Sequence, residues 1–412
     1  MKAHRRSTHL GFACAFGRRE VLALLGGSAA AIAMPAQARG AANRAREIAR
    51  IERPRVLAAA ERFVSEAPVT VTSSRAARSP GGPHDYYSEG DYWWPDPGDP
   101  SGPYIRRDGY SNPNKFDDHR LALIRFGIIV PALAAAWTLT GDRRYAEGAA
   151  RHLKAWFVDP ATRMNPNLQH AQAIIGVNTG RGIGIIDTVH LIEAARAAER
   201  LGAAEVPGYG AAQKAAVRGW FADYLAWLVT SENGRDERDE ANNHASAWAL
   251  QAAAFARLTG NDEMLRELRQ DFRNVLVPRQ IAPDGRQPLE LARTKPYGYS
   301  LFNLDILGTL ATLLSTRREN LWRWRTTDGR GLAPALAFMA PFIADKTRWP
   351  YPPDVQHFDS LPFRHIALLL GSEALAQPHL FALWQRLEPD PANAEAIRNM
   401  PIRQPLLWTA GR

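Results

Sequence analysis

Cysteine is all but absent from this 412-residue sequence: the single copy, Cys14, stands near the start. One cysteine closes no internal disulfide, and once the leader argued below is removed the chain has neither a thiolate nucleophile nor a thiolate metal ligand. Long apolar runs are scarce too. The run from Val21 to Met34 is interrupted by Gly26, Gly27 and Ser28 and falls short of the roughly 20 residues that span a bilayer, so no stable membrane anchor is expected there. Strand-like alternation is nearly missing, which argues against a β fold. His, Asp and Glu are nowhere grouped at metal-ligand spacing, and the expectation is that neither metal nor cofactor is needed. The basic residues are dispersed rather than striped, which argues against nucleic acid as a partner.

What is present begins with an address. A charged start leads into Arg18-Arg19, the apolar run and Ala36-Gln37-Ala38, the order of a twin-arginine export signal with a small-x-small cleavage site. Residues 1–38 are expected to leave after Ala38, with the twin-arginine translocon as a transient partner and a periplasmic or secreted product. Of 51 Lys and Arg and 42 Asp and Glu, five basic residues and Glu20 lie in that leader, which leaves 46 against 41 and a net charge of +5. A mildly basic exported protein is suited to attracting an anionic polymer.

Residues 39–412 read as one all-α domain. Apolar residues recur at helical spacing over Leu121–Leu139, Tyr145–Phe157, Ile183–Leu201, Ala211–Val229, Ala245–Leu258, Leu301–Leu314, Leu332–Ile343 and Ile366–Leu387. The stretch AAAWTLTGD at Ala134–Asp142 is echoed by AAAFARLTGN at Ala252–Asn261. Both read as helix, glycine turn, capped helix. Repeated hairpins that cannot bury an apolar face alone predict an incomplete (α/α) toroid, or barrel, with an α-solenoid as the alternative. Three stretches rich in Gly, Pro, Asn and aromatics interrupt the helices: Arg78–Asp118, Asp159–Gly182 and Arg279–Ser300. In a toroid such loops would line one mouth of the central cleft.

Four segments carry candidate chemistry. The first, DYYSEGDYWWPDPGDPSGPYIRRDG at Asp85–Gly109, crowds aromatics with charge. Trp93 and Trp94 read as packing residues, whereas Tyr86, Tyr87, Tyr104, Arg106 and Arg107 suit sugar faces and uronate carboxylates. The second, QAIIGVNTGRGIGIIDT from Gln172 to Thr188, places Asn178 and Arg181 in a glycine-rich turn. It lacks the Lys-Ser/Thr of a P-loop and no strand precedes it, so a substrate-contacting turn or a purely structural one remains.

The third, DEANNHASAW at Asp239–Trp248, opens a helix with Asn242 or Asn243 as its cap. His244 is either a satisfied first-turn histidine or a neutral imidazole, favoured by the helix dipole, beside a carboxamide. The fourth, QPLELARTKPYGYSLFNL at Gln287–Leu304, carries Glu290, Arg293, Lys295, Tyr297 and Tyr299. Neighbouring cations are expected to favour the phenolate of Tyr299.

Together YWWPDP with PYIRRDG, NTGRGIGIIDT, NNHASAW and PLELARTKPYGYSLFNL resemble the alginate-lyase domain superfamily, over roughly Asp85–Asn303 and more weakly into RWPYPPD, Arg348–Asp354. The likeness implies an (α/α) toroid and metal-independent β-elimination of a 1,4-linked polyuronate. The polymer implied is alginate, poly-mannuronate favoured, with glucuronan as the alternative. In polysaccharide lyase family five an Asn-His pair, an Arg and a Tyr act in the cleft, and these match Asn243, His244, Arg293 and Tyr299. The Arg-to-Tyr interval is one residue shorter than in that family, which leaves Tyr297 open as the proton-transfer tyrosine. The aromatic segment before Gly109 is more similar to family thirty-eight. The substrate-contact set implied is Gln172, Asn178, Arg181, Tyr104, Arg106, Arg107, Lys295 and Tyr297.

Two other readings stay open. An (α/α) glycoside hydrolase would recruit a carboxylate pair from Asp239, Glu240 and Glu290. A periplasmic polyuronate-binding protein would use the same cleft without turnover.

Overall fold

The computed structural model describes residues 36–202 and 205–409. The chain divides into two units, Met1–Arg44 and Ala45–Arg412. Apart from 36–38, which begin a helix, the leader expected at 1–38 lies outside the described residues. Every element after that first helix belongs to the second unit.

Helix α1 (Ala36–Phe63) is followed by two hairpins and their neighbours: α2 (Asp118–Thr140), α3 (Arg143–Phe157), α4 (Leu191–Leu201), α5 (Ala211–Thr230), α6 (Glu232–Asp239), α7 (Asn243–Thr259) and α8 (Asp262–Asp271). After α9 (Val277–Gln280) and α10 (Pro288–Leu291) come α11 (Pro296–Leu314), α12 (Leu332–Ala344), α13 (Ile366–Leu375), α14 (Pro378–Arg386), α15 (Ala394–Arg398) and α16 (Pro405–Thr409). The sequence echo is structural. Gly141 and Gly260 end α2 and α7 with φ of 70° and 77°, and the side chains of Asp142 and Asn261 cap the next helices.

Inner helices α2, α4, α7, α11 and α13 stand side by side in that order. They are buried on nearly all faces; most are apolar nearly all round, as such burial requires, while α4 buries Glu193 and Arg196 against the C-terminal segment. Outer helices pack behind them: α3 on α2, α5 and α8 on α7, α12 on α11, α14 on α13. This is the (α/α) toroid fold. Phe126, Trp156, Phe157, Trp220, Phe221 and Phe255 stack in series across α2, α3, α5 and α7, and truncating any of them to Ala would cost about 3–5 kcal/mol. Helix α2 is the one described helix long and apolar enough to cross a membrane, but 67% of its apolar window is buried in the fold.

The segment expected to be one helix from Ile183 opens as a 3-10 turn, Gly182–His190, before α4. The segment Ile366–Leu387 is two helices, divided at Ala376, which turns left-handed, and Pro378. The interrupting loops are tied by two short sheets that periodicity did not reveal. Strand β1 (Tyr87–Glu89) pairs in parallel with β4 (His170–Ala173), and β2 (Trp93–Trp94) pairs antiparallel with β3 (Ile105–Arg106). The first sheet joins the first two loops at one mouth of the toroid, and the second folds the first loop back on itself.

Candidate active site

At that mouth lies a cleft of about 400 Å³ bordered by side chains from all three loops and from the chain's C-terminal part. Its first wall is the start of α7. Asn242 is the N-cap, its side chain accepting the His244 N–H at 3.0 Å, which fixes Asn243 and His244 on the first turn. The Asn243 backbone N–H and side-chain amide both donate to the buried Glu290, at 2.8 and 2.6 Å. His244 Nδ1 faces the fully buried Glu237 carboxylate of α6 at 2.8 and 3.0 Å, which leaves Nε2 as the ring nitrogen for the cleft.

Electrostatics correct the expectation for this histidine. Burial alone would lower the imidazole pKa, but the Glu237 carboxylate outweighs it and the net shift is upward. Burial pushes Glu237 itself up to about 7, against the pull of His244. The helix dipole is therefore overruled by a carboxylate that sequence reasoning did not single out, although Glu237 lies just seven residues before His244.

The opposite wall is the start of α11. Pro296 occupies its first turn, and the Asp354 carboxylate accepts the N–H groups of Tyr297 and Gly298, both at 2.9 Å. Two residues along a helix turn about 200°, so Tyr297 and Tyr299 point apart. Tyr297 is fully buried among Trp349 and Phe358 and donates to the Phe342 carbonyl. Tyr299 borders the cleft, its hydroxyl 2.9 Å from that of Tyr92. The Arg293 guanidinium lies 4.6 Å from its ring centroid.

Burial drives the Tyr299 pKa well above the usual phenol value, Tyr92 adds to the rise, and Arg293 does not offset them. The expected phenolate is thus overturned: desolvation of the charged form outweighs one nearby cation, and Tyr299 rests as a neutral phenol.

A family model described as alginate lyase matches residues 70–349. The chain belongs to the alginate lyase family. It is a polysaccharide lyase by family and fold. An alginate lyase from Bacteroides ovatus is 30% identical, with a TM-score of 0.76 over 90% of this chain and 98% of its own. Alginate lyase A1-III from Sphingomonas species A1 is 17% identical, with a TM-score of 0.51 over 87% of this chain and 95% of its own, and shares the fold. A histidine-to-alanine variant of A1-III, solved with a tetrasaccharide, is 18% identical, with a TM-score of 0.51 over 74% of this chain and 78% of its own. No curated protein sequence matches the chain.

Of the residues singled out from the alginate lyase motifs, the cleft brings together Asn243, His244, Arg293, Tyr299, Arg106, Arg181 and Gln172. Gln172 is a support rather than a free contact. Its carbonyl and side-chain oxygen accept from Arg181 at 3.0 Å each, and its amide donates to Asp187. Arg181 is thereby held 5.7 Å from the Trp93 ring centroid, so Trp93, read as packing, borders the cleft.

Other expected contacts stand elsewhere. Asn178 closes its own turn, accepting the Ile174 N–H. Arg107 stacks on Trp94, and Tyr104 pairs its backbone with Ile175. Lys295 is buried against Glu395. Tyr86 and Tyr87 are core residues that donate to Asp187 and Glu89. None of these borders the cleft.

Sequence reasoning also missed Tyr92, Asp91, Arg398 and Asn399. Arg398 comes from α15, beyond the stretch the family model matches, and binds Asp91, Glu395 and the Tyr92 hydroxyl. The hydrolase carboxylates do not assemble. Asp239 is exposed and paired with Arg238, and Glu290 is spent on Asn243, so only Glu240 of the three borders the cleft. The remaining cleft carboxylate, Asp91, is bound by Arg120 and Arg398.

Proposed function

We propose that the protein cleaves alginate by metal-independent β-elimination, with Arg293 and Asn243 at the substrate carboxylate, His244 as the base and Tyr299 as the acid. The observation that carries this reading is the pairing of a neutral phenol at Tyr299 with an imidazole whose Nδ1 is held by Glu237. The C5 proton of a uronate is poorly acidic beside a charged carboxylate, so the site must neutralise that charge and the enolate that develops. In the cleft, Arg106, Arg181 and Arg293 supply positive charge where a metal would otherwise be needed. Neutral His244 takes the C5 proton on Nε2, and the Glu237 carboxylate stabilises the imidazolium that forms. Tyr299 gives its proton to the leaving glycosidic oxygen and recovers one when the imidazolium discharges.

A single tyrosine acting as both base and acid would have to begin as a phenolate that burial opposes. Division of the task between His244 and Tyr299 avoids that cost. Within alginate, the preference for poly-mannuronate is carried by the motif likeness alone, with glucuronan the alternative polymer. Export through the twin-arginine route to the periplasm completes the reading, supported by Arg18-Arg19 and Ala36-Gln37-Ala38.

Incubation with poly-mannuronate, poly-guluronate and glucuronan, followed by ultraviolet absorbance, tests this. A conjugated double bond should accumulate on alginate blocks and persist in chelator. Binding without product would restore the non-catalytic reading, and activity lost in chelator but restored by calcium or zinc would contradict metal independence.

A further inference from the structure

Arg106 and Arg293 approach the cleft from different loops, and one carboxylate behind them holds both. Asp108 Oδ1 accepts from Arg106 Nη2 at 2.7 Å and from Arg293 Nη2 at 3.2 Å. Its Oδ2 accepts from Arg293 Nε at 3.4 Å and from the Thr294 hydroxyl at 2.9 Å. Asp108 itself does not border the cleft, whereas both arginines do. The backbone beside it is seated closely. A Cβ on Gly109 would stand 2.6 Å from the Thr294 hydroxyl oxygen, and Gly109 has a φ of 83°.

A guanidinium offers a carboxylate two bidentate edges. Asp108 occupies the Nε–Nη2 edge of Arg293, so the end that carries Nη1 is the one left for a ligand. The same grip keeps the guanidinium over the Tyr299 ring at 4.6 Å. It also brings two like charges to one oxygen, which without an anion between them would repel.

We infer that Asp108 is a positioning residue for the elimination: it clamps Arg106 and Arg293 into one fork and fixes which edge of Arg293 meets the uronate carboxylate. The inference rests on the lyase reading above. Asp108 is well placed to stay ionised, since burial raises its pKa but Arg293, Arg106 and Thr294 together bring it below the usual carboxylate value. Its charge is felt at the acid as well, where it adds to the upward shift of Tyr299.

The test is Asp108→Asn, with Asp108→Glu as the charge-retaining partner and Asp99→Asn as a control on the same loop. With alginate, D108N should lose about 10²-fold in kcat, the scale of a misplaced catalytic geometry. Its KM should stay level or fall, because the cleft gains net positive charge. The alkaline limb of its kcat/KM profile should move to lower pH, since an anion that raised the Tyr299 pKa is gone, and D108E should move the limb back. D99N should leave both rate and limb unchanged. Unchanged kcat and limb in D108N would overturn the inference, as would a raised KM with kcat intact. A wild-type chain that forms no unsaturated product from any polyuronate would overturn the lyase reading itself, and this inference with it.

Discussion

Glu237, with none of its side chain exposed, holds His244 Nδ1 at 2.8 Å from the helix before it. The pair decides when Nε2 is free to take a proton. Because the carboxylate raises the imidazole pKa, the neutral base forms only as pH rises past the ordinary histidine value of about 6.5. Glu237→Gln removes the charge and leaves the burial, which lowers the imidazole pKa. The acid limb of kcat/KM should therefore move to lower pH, while the rate at its plateau falls about 10²–10⁴-fold as the imidazolium loses its counter-ion. A limb that stays in place would show that His244 is not the titrating base.

The two tyrosines of α11 should separate cleanly. Tyr299→Phe removes the proffered proton and should cost about 10²–10⁴-fold in kcat with little change in KM. Tyr297→Phe loses a buried hydrogen bond to the Phe342 carbonyl and should cost about 1 kcal/mol of stability with turnover near normal. Kinetics with thermal melts of both variants check this. The reverse pattern would make Tyr297 the proton donor and reject the cleft assignment.

Arg181 and Asn178 sit three residues apart but should behave differently. Arg181→Ala removes a cation that Gln172 presents to the cleft and should raise KM for the polymer. Asn178→Ala unfastens a turn and should lower stability by about 1 kcal/mol with KM unchanged. Equal KM effects would place Asn178 among the substrate contacts.

Export should depend on the paired arginines. Replacing Arg18 and Arg19 by Lys should leave the precursor in the cytoplasm, as fractionation and immunoblotting would show. Periplasmic protein in normal amount from that variant would reject the twin-arginine route.

The fold was legible because most of its inner helices are apolar nearly all round and two of its hairpins repeat the same glycine-and-cap turn. The site was legible where local motifs carried it: Asn242 capping α7, and Arg293 with Tyr299 at the start of α11. Choosing between Tyr297 and Tyr299 required the helix register, which Pro296 and Asp354 set before the apolar pattern begins at Leu301. Glu237, Tyr92, Asp108 and Arg398 were hidden because their roles depend on partners that only the fold brings near. Arg398 reaches Tyr92 across 306 positions. The two charge states were misjudged because both depend on surroundings that only the fold supplies. For Tyr299 a neighbouring cation was weighed without the desolvation that burial brings, and for His244 the helix dipole was weighed without the Glu237 carboxylate that the fold sets beside it.

The central claim is that the glycosidic bond breaks by elimination rather than by water. Digesting alginate in heavy-oxygen water and weighing the shortest products tests it directly. Elimination predicts unsaturated products lighter by one water than hydrolysis products, with no heavy oxygen incorporated by the cut itself, once exchange at the reducing ends is blocked by reduction. Saturated products that carry one solvent oxygen at each new reducing end would contradict the account and point to hydrolysis.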